Sequence, residues 1–499
     1  MSRYDVVIIG SGLGGLVCGA TLGKEGYHVC VLEKNGAPGG CFQSFKRNGR
    51  LLDTGIHYIG GMDEGEALHQ YFTYFGIQNG LKLKRMDEEA FDIIRYGGEE
   101  YRYAMGHERF VETLARRFPK EKEAIRRYAA MLDGIGHTIS VDQLAKGTLS
   151  TGAFEHFSTS AWERITSLTS DRRLQQVLSS PALLYGGEQA TSTFYHHAMI
   201  TDSYLKGAYR FVDGSMQVVD ALVDVIRRHG GTVMTEAEAT RLYLSGDRVQ
   251  SVEVNGAERL EAAHVISSIH PAVTMQLVEK TPLIRKAYLS RLSRLPNSYG
   301  LFSVYLIQKK NTTPYRNHNL FVYGRDNVWH NTLHPEDTAI NCSLITMQPS
   351  SADERYTDVI CLLTPMYIAE LRQWEDTTVE RRGDGYRQFK EQKAREMISF
   401  VEQYEPSINR HTEAVYTATP LTYRDYTGTP DGSAYGIMKN YNQPLATIIP
   451  NRTRIANLLL AGQNLNVHGA LGVTLTSMLT CAELLGTDYL AKRIGGSVI

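Results

Sequence analysis

Three glycines and one acid near the amino terminus have the residue types and the spacing of a dinucleotide site. Gly10, Gly12 and Gly15 come directly after the β-branched run 5–9, and Glu33 follows 18 residues after Gly15. In this pattern the first glycine permits a tight turn, the second lets the backbone approach a pyrophosphate, and the third lets a helix pack closely on a strand. The carboxylate of Glu33 can accept hydrogen bonds from both ribose hydroxyls of an adenosine. The residues therefore predict tight binding of an adenine dinucleotide.

A strand, a helix and a second strand must position these residues. The run 5–9 predicts a strand buried on both faces of a parallel sheet, residues 16–22 predict a helix that Gly26 ends, and residues 28–32 predict the second strand. The amino-terminal end of the helix presents unpaired N–H groups and a partial positive charge to phosphates.

Other residues of the same turn belong to the predicted site. We expect Ser11, Leu13 and Gly14 to contact the ligand, because they lie between the glycines that shape the turn. An acid at position 33 disfavours a 2′-phosphate on the ribose. The ligand is therefore predicted to be FAD or NAD rather than NADP.

The charge balance and composition exclude several classes of protein. The chain has 499 residues, with 53 Lys and Arg against 54 Asp and Glu, a formal charge of −1, 21% charged residues and 42% hydrophobic residues. This balance gives no electrostatic reason to expect nucleic acid as a partner, and the mixture is typical of a globular protein. Six cysteines without a CxxC pair exclude a disulfide-stapled miniprotein and a cysteine-based zinc module of ordinary spacing.

The same features predict where the protein is located. Only four apolar residues, 6–9, precede the first glycine, and no run approaches the roughly 18 apolar residues of a membrane-spanning helix. We expect a cytoplasmic protein that is at most peripheral to a membrane.

Several kinds of catalysis are disfavoured by motifs that are missing from the sequence. A disulfide reductase needs a redox-active cysteine pair, and a serine hydrolase of the usual type needs a GxSxG elbow. A second strand–GxGxxG–helix unit for NADPH is also missing. His196 and His197 are adjacent and point to different faces of a helix, so we predict no metal site there.

Two further groups of motifs carry a resemblance to a known family. Gly39, Gly40 and Cys41, followed by the stretch 53–60 (DTGIHYIG), resemble the all-trans-retinol saturases, which belong with the carotenoid desaturases and carotene isomerases in the FAD-containing amine-oxidase-like superfamily. The stretches 207–216 and 457–473 are similar to the segments of that family that re-enter the FAD domain and close over the flavin.

The resemblance implies an α/β fold with two domains. A discontinuous Rossmann-type FAD-binding domain is expected from residues 1–70, 205–290 and 445–499, and an inserted mixed α+β substrate domain from residues 71–204 and 291–444. Within the insertions, the apolar spacing of Phe110, Leu114 and Phe118 predicts a helix. Strands are expected at 299–308 and 358–365, and a charged helix at 376–404.

The resemblance also implies the rest of the cofactor site. One departure from the wider superfamily is Gln463, where many members have an aspartate that binds the ribityl chain; the saturase branch is similar to this chain at that position, and glutamine can donate and accept hydrogen bonds. The further FAD contacts expected from the resemblance are Lys34, Gly39, Gly40, Cys41, Gly55, Ile56, His57, Ala239, Ser267, Gly462, Gln463, Gly472 and Val473.

The reaction implied is saturation of a double bond in a retinoid-, carotenoid- or other isoprenoid-like polyene, by hydride transfer from reduced flavin. The catalytic residues are not assigned, but His57, Tyr58 and Tyr435 are candidates for orienting the substrate or donating a proton, and each also has an ordinary structural interpretation. Any electron donor is expected to reach the flavin through the substrate cavity, as NAD(P)H would, or to be another protein. A polyene is held mainly by apolar burial, which predicts a tunnel that opens on a lipid-facing surface.

Two alternatives stay open on the sequence alone. A phytoene-type desaturase or a carotene isomerase has the same scaffold and differs only in the net change in hydrogen. A flavin-bearing lipid carrier that binds polyenes without redox turnover belongs to a different functional class.

Overall fold

A computed structural model describes residues 3–139 and 155–496, which form two seven-stranded sheets, two two-stranded ribbons and the helices around them. The strands, in chain order, are β1 Arg3–Ile9, β2 Val29–Leu32, β3 Ser44–Arg47, β4 Arg50–Asp53, β5 Leu83–Arg85, β6 Asp92–Tyr96, β7 Glu99–Tyr103, β8 Tyr209–Phe211, β9 Thr232–Met234, β10 Ala239–Ser245, β11 Arg248–Val254, β12 Glu258–Ser267, β13 Gly300–Gln308, β14 Asn319–Tyr323, β15 Cys342–Met347, β16 Val359–Met366, β17 Thr412–Ala418 and β18 Leu458–Leu460.

The α-helices lie between these strands and after the last one. They are α1 Leu13–Lys24, α2 Ala67–Phe75, α3 His107–Ala115, α4 Lys122–Gly136, α5 Ala161–Leu168, α6 Arg172–Ser179, α7 Phe194–Lys206, α8 Met216–Arg228, α9 Pro271–Leu277, α10 Lys286–Arg294, α11 His330–Leu333, α12 Gly383–Glu402, α13 Pro420–Thr427, α14 Pro444–Thr447, α15 Gly469–Leu485 and α16 Thr487–Gly495. None of these described helices is long and apolar enough to cross a bilayer.

The first sheet has a parallel core. Its strand order is β10-β11-β12-β1-β2-β9, and β18 pairs with the end of β12. The pairs of β1 with β2 and β12, of β2 with β9 and of β12 with β18 are parallel. Val6 and Ile8 pack on one face with residues of α1 and α15, and Val7 and Ile9 pack on the other. The apolar run therefore forms a strand because both of its faces are buried.

The second sheet is antiparallel except for one pair. Its order is β17-β13-β16-β15-β14-β6-β7, and only β14 and β6 run parallel. Along β13, Phe302, Val304 and Leu306 belong to the core that also contains residues of α12, whereas Tyr305 and Ile307 point to the opposite face, as alternation along a strand requires. One face of this sheet is thus covered by α12, and the other faces the rest of the molecule.

The predicted elements are present, with shifted bounds. The strand expected at 5–9 begins at Arg3, the helix expected at 16–22 spans Leu13–Lys24, and the charged helix expected at 376–404 spans Gly383–Glu402. One prediction is wrong: Phe118 lies outside α3, which ends at Ala115. The reason is Pro119, since the residue before a proline is disfavoured in the helical conformation, and Phe118 has φ −127° and ψ 63°.

The segments expected as two domains contribute to different sheets. Strands of the first sheet come from residues 3–32, 232–267 and 458–460, and strands of the second come from residues 92–103 and 300–418. Residues 71–204, expected to be mostly helical, contain β5, β6 and β7 as well as helices. The division of the chain into two domains with the expected boundaries stays a prediction.

Candidate active site

The turn between β1 and α1 forms one wall of a cleft of ≈ 250 Å³. Gly10 has φ +91°, and a Cβ there would lie 2.8 Å from Ile269 Cγ2, so the turn requires glycine. At Gly12, by contrast, a Cβ would meet no described atom within 4 Å. Gly14 packs on Gly462, because a Cβ added to Gly14 would lie 2.9 Å from the Cα of Gly462. The open side of the turn at Gly12 is therefore the side that faces the cleft.

The amino-terminal end of α1 also faces this cleft. Gly12 is the N-cap and supplies no side-chain cap, and the first hydrogen bond within the helix runs from Leu16 N to Gly12 O (3.0 Å). The N–H groups before Leu16 are available to an external acceptor, and the helix dipole adds a partial positive charge. A phosphate fits this end of the helix.

Glu33 lies at the end of β2 and is held in place by its neighbours. Its side chain is buried, with an exposed fraction of 6%. Oε2 accepts from Ser11 Oγ (2.5 Å) and Ser11 N (3.3 Å), and Oε1 accepts from Asn35 N (2.9 Å). Ser11 therefore orients the carboxylate from behind the cleft. A carboxylate at the carboxyl end of β2 is suited to accept hydrogen bonds from ribose hydroxyls.

An apolar wall closes the cleft beyond Glu33. It includes Ala237, next to the predicted Ala239, and Ile269, Val273 and Leu277 near and within α9. Of these residues only Ala239 was predicted from the sequence. A usable signal existed, since Ala237 follows β9 and Ile269 follows β12, and ligands bind at the carboxyl ends of parallel strands.

The remaining walls come from distant segments of the chain. Gly462, Gln463 and Asn464 follow β18, and Gly469, Ala470 and Val473 belong to the first turns of α15. The end of α13 and the loop after it, residues 426–429, also line the cleft, and Asn35 Nδ2 donates to Tyr426 O (2.8 Å). No local motif in the sequence marks residues 426–429 as part of a ligand site.

Most predicted contact residues line this cleft, and some lie behind its walls. Those that line it are Gly10, Gly12, Leu13, Gly14, Glu33, Lys34, Gly40, Cys41, Ile56, Ala239, Gly462, Gln463 and Val473. Those not in its lining are Ser11, Gly15, Gly39, Gly55, His57, Ser267 and Gly472.

Packing explains the second group. Gly15 lies against the turn itself, where a Cβ would be 1.9 Å from Gly10 O, and a Cβ on Gly472 would lie 3.0 Å from the backbone of Val467. Ser267 Oγ is within 2.7 Å of Thr274 Oγ1. These residues set the positions of the wall, and their direct contact with a ligand stays a prediction.

His57 and Tyr58 are more deeply placed than the sequence suggested. His57 borders a small cavity with Asp53, Tyr305 and Cys361, and burial together with Arg210 lowers its pKa to about 4, so the imidazole is neutral at pH 7. The Tyr58 hydroxyl donates to Asp92 Oδ2 (3.0 Å), and burial raises the Tyr58 pKa well above its ordinary value. Tyr58 is thus held by a buried hydrogen bond, whereas the Nε2 atom of His57 is buried without a hydrogen-bond partner among the described residues.

Tyr435, the third candidate, lies beside a pair of buried histidines. Its hydroxyl donates to the carbonyl oxygen of Leu183 (2.9 Å), and its ring centroid lies 5.2 Å from that of His468. His468 in turn stacks on His196 at 5.4 Å. Burial lowers the pKa of His196 to about 3 and that of His468 well below its ordinary value, so both rings are neutral.

A larger chamber of ≈ 810 Å³ adjoins the cleft and shares Tyr426 and Thr427 with it. Its walls come from β3, β13, β17, α12 and α13. The lining residues are Gln43, Phe45, Arg47, Thr54, Tyr305, Arg387, Lys390, Glu391, Ala394, Arg395, Ile398, Val415, Tyr416, Thr417, Ala418, Thr422, Tyr423, Tyr426 and Thr427. The volume is in the range of small-molecule sites.

The inner wall of the chamber is fixed to the segment that precedes His57. Tyr305 Oη donates to Asp53 O (3.0 Å), and Tyr423 Oη donates to Thr54 O (3.1 Å). Both tyrosines are buried, with exposed fractions of 2% and 5%. The phenol of Tyr305 on β13 and the phenol of Tyr423 on α13 thus hold the loop that leads from β4 to Ile56 in the cleft.

One group of side chains outside the cleft has the composition of a metal site. Ligand atoms of His107, Asp133 and Asp202 lie within 4.8 Å of one another. Lys206 Nζ lies 3.1 Å from Asp202 Oδ2 and 3.5 Å from Asp133 Oδ1, and His107 Nε2 lies 2.7 Å from Asp202 Oδ1. The lysine ammonium supplies the positive charge that these carboxylates need.

Comparisons with known proteins agree with this geometry. The family model described as flavin containing amine oxidoreductase matches residues 13–474. Among solved structures, an oxidoreductase from Methanosarcina mazei superposes with a TM-score of 0.64 over 95% of this chain and 99% of that chain, at 17% identity. That likeness is one of fold.

Two curated relatives cover nearly the whole chain. The chain is similar to all-trans-retinol 13,14-reductase of Danio rerio, with 27% identity over 98% of this chain and 88% of the relative. It is also similar to the neurosporene-forming phytoene desaturase of Cereibacter sphaeroides, with 24% identity over 94% of this chain and 91% of the relative.

Proposed function

The chain belongs to the family of flavin-containing amine oxidoreductases, and from that premise we propose that it saturates a carbon–carbon double bond of a hydrophobic polyene in an FAD-dependent reaction. One observation carries the proposal: the cleft adjoins a chamber of ≈ 810 Å³ whose buried wall is aromatic and apolar and whose Tyr305 and Tyr423 hold the loop before Ile56, a residue of the cleft. Similarity to the retinol reductase along nearly the whole chain supports a polyene as the substrate.

The residues of the cleft are the ones that would hold FAD. The N–H groups at the start of α1 and the open face of Gly12 fit the phosphates, and the carboxylate of Glu33 fits the ribose hydroxyls. Gln463 and Val473 line the cleft from the side of β18 and α15. When bound, FAD would supply the two-electron redox chemistry that saturation of a C=C bond needs.

The chamber binds the polyene by burial of apolar surface. Tyr305, Tyr423 and Ala418 form a water-poor wall next to the cofactor cleft. Each Å² of apolar surface removed from water contributes about 25 cal/mol, so a long conjugated chain needs few polar contacts. The chain's own side chains therefore orient the double bond and exclude water from it.

Saturation also needs a proton for the second carbon. We assign supporting roles to His57, which is neutral, and to Tyr58, which is bound to Asp92. Tyr435 stays the candidate donor, although it lies outside the lining of the cleft and of the chamber and its hydroxyl donates to Leu183 O. Tyr435→Phe is then expected to lower kcat with no loss of FAD.

Electrons and substrate must both reach the site from outside. NAD(P)H entering through the chamber, or a protein partner, is the proposed source of electrons. Val415 and Tyr426 are apolar lining residues of the chamber with exposed fractions of 42% and 46%, which supports peripheral contact with a membrane from which an apolar substrate is taken up.

An anaerobic titration tests the proposed function. The FAD-loaded protein is reduced with dithionite or NAD(P)H and then mixed with a polyene, and flavin absorbance is followed together with the polyene chromophore. Reoxidation of the flavin coupled to loss of the chromophore is expected. A flavin that stays reduced with every polyene offered contradicts the proposal.

Desaturation is the second candidate, since the similarity to phytoene desaturase also extends along most of the chain. The mass of the product separates the two reactions. A gain of two hydrogens indicates saturation, a loss of two indicates desaturation, and an unchanged mass with a new isomer indicates isomerisation.

A further inference from the structure

One side of the chamber carries an excess of positive charge that a neutral hydrocarbon does not use. Four cationic residues line it, Arg47, Arg387, Lys390 and Arg395, against one carboxylate, Glu391. Three of these cations lie on α12, the helix that covers the second sheet. Together we call the four cations the basic rim.

Three members of the basic rim, Arg47, Lys390 and Arg395, form no ion pair with a carboxylate of the described residues. Arg387 pairs with Asp384 one turn earlier on α12. Lys390 Nζ lies 5.1 Å above the ring of Tyr386, and within the described ranges neither Lys390 nor Arg395 forms an ion pair with a carboxylate. Their charges are therefore available to an anion in the chamber.

The face of α12 that lines the chamber carries charged and apolar side chains next to one another. Arg387, Lys390, Ala394 and Ile398 recur at spacings of three and four residues, so they lie on one side of the helix. From Arg387 to Ile398 the helix rises about 16 Å. Arg395 lies between Ala394 and Ile398 in the sequence, so a cation and the apolar side chains of this wall lie within one helical turn of each other.

From this arrangement we propose, on the basis of the proposed function, that the substrate is an amphiphilic polyene with an anionic head group. Lys390 and Arg395 hold a carboxylate or a phosphate, and the conjugated chain lies against Ile398, Ala418 and Tyr423. The rim then also sets the position of the chain, and so decides which double bond is presented to the cofactor cleft.

Binding to the FAD-loaded protein tests this inference without turnover. Three polyenes with the same conjugated chain, ending in a carboxylate, an alcohol or a methyl group, are titrated and followed by quenching of tyrosine fluorescence. We expect the carboxylate to bind at least tenfold more tightly than the alcohol. Equal affinities for all three ligands would overturn the inference.

Variants show whether the basic rim is responsible. Lys390→Gln and Arg395→Gln are each expected to weaken carboxylate binding by about fivefold and alcohol binding by less than twofold, in line with partly exposed charge pairs. Arg410→Gln removes an exposed cation outside the chamber lining and serves as the matched control. A loss of affinity that is the same for the carboxylate and the alcohol contradicts the assignment.

Vesicles distinguish a substrate head group from a lipid surface. The same variants are sedimented with phosphatidylcholine vesicles that contain or lack phosphatidylglycerol. If the variants lose vesicle binding and keep the affinity for the free carboxylate, the rim is a membrane surface and the inference is wrong. Failure of the proposed function looks different, because tight carboxylate binding then occurs without any reoxidation of reduced flavin.

Discussion

The two seven-stranded sheets contribute to the site in different ways. The first sheet presents backbone: the turn after β1, the end of β2 and the ends of β9, β12 and β18 meet around the cleft, and glycines set its shape. The second sheet presents side chains: Tyr305 and Ala418 project from β13 and β17 into the chamber. A site made of backbone tolerates little change in shape, whereas a site made of side chains is easily adapted to another ligand.

The largest effect is expected from a substitution of Glu33, the buried acid of the cleft. Glu33→Arg removes the acceptor for Ser11 and Asn35 and places a cation where the carboxylate is buried. The dissociation constant for FAD should rise by about 100-fold, or about 3 kcal/mol. Absorbance at the flavin maximum and fluorescence of released FAD measure this. Glu33→Gln, which keeps an acceptor, should lose less, and a fully yellow Glu33→Arg protein would refute the role of this acid.

A pair of glycine variants separates the shape of the cleft from its contact with the ligand. A Cβ at Gly15 would lie 1.9 Å from Gly10 O, whereas a Cβ at Gly12 would enter open space. Gly15→Ala should lower the free energy of unfolding by about 2–3 kcal/mol, and Gly12→Ala should leave the stability of the FAD-free protein within about 0.5 kcal/mol of the parent. Denaturant unfolding measures both. Gly12→Ala should still weaken FAD binding; if it does not, the phosphates lie elsewhere.

A pH series examines a buried carboxyl group of the second sheet. Burial raises the pKa of Asp92 to about 7, against bonds from Asn319 and Tyr58 that lower it. Between its unfolded value near 4 and 7 the folded protein binds the extra proton, so this residue makes stability fall with rising pH, by at most about 1.4 kcal/mol per unit. Asp92→Asn removes this titration. The unfolding free energy of the parent minus that of the variant, measured in urea at pH 5, 6 and 7, should therefore fall as the pH rises. A constant difference across the series would mean that Asp92 does not titrate there.

The smallest effect concerns the link between the two regions. Tyr305→Phe deletes the hydrogen bond to Asp53 O and leaves the ring in place. We expect a loss of about 1 kcal/mol in unfolding free energy, an unchanged FAD content and a higher KM for the polyene. Thermal unfolding, flavin absorbance and steady-state kinetics check these in turn. Loss of FAD from this variant would show that the chamber also shapes the cofactor cleft.

The contrast between a cleft shaped by backbone and a chamber lined by side chains also explains which parts of the site could be predicted from the sequence. Gly10, Gly12 and Glu33 could be assigned because a turn, a helix start and a strand end are local features that one short motif specifies. The apolar wall of the cleft at Ala237 and Ile269 was not predicted, although its position after β9 and β12 follows a general rule for parallel sheets.

The chamber could not be predicted in the same way. Its residues come from six separated stretches between Gln43 and Thr427, and only the pairing of β13 with β17 and the packing of α12 bring them together. His57 was expected near the flavin from its place in a family-like motif, and in the fold it borders a small cavity outside the lining of the cleft, so its contact with the flavin stays a prediction. Local patterns carry no information about which side of a loop faces a distant sheet.

Tyr426 and Thr427, at the end of α13, have one further consequence. These two residues belong to both compartments, and Tyr426 O also accepts a hydrogen bond from Asn35, which in turn donates to Glu33. Any shift of this segment that one occupant favours changes the affinity for the other by an equal factor, because binding free energies at two sites are reciprocally linked. Binding of the nucleotide and uptake of the lipid-like reactant are then thermodynamically coupled through the end of α13.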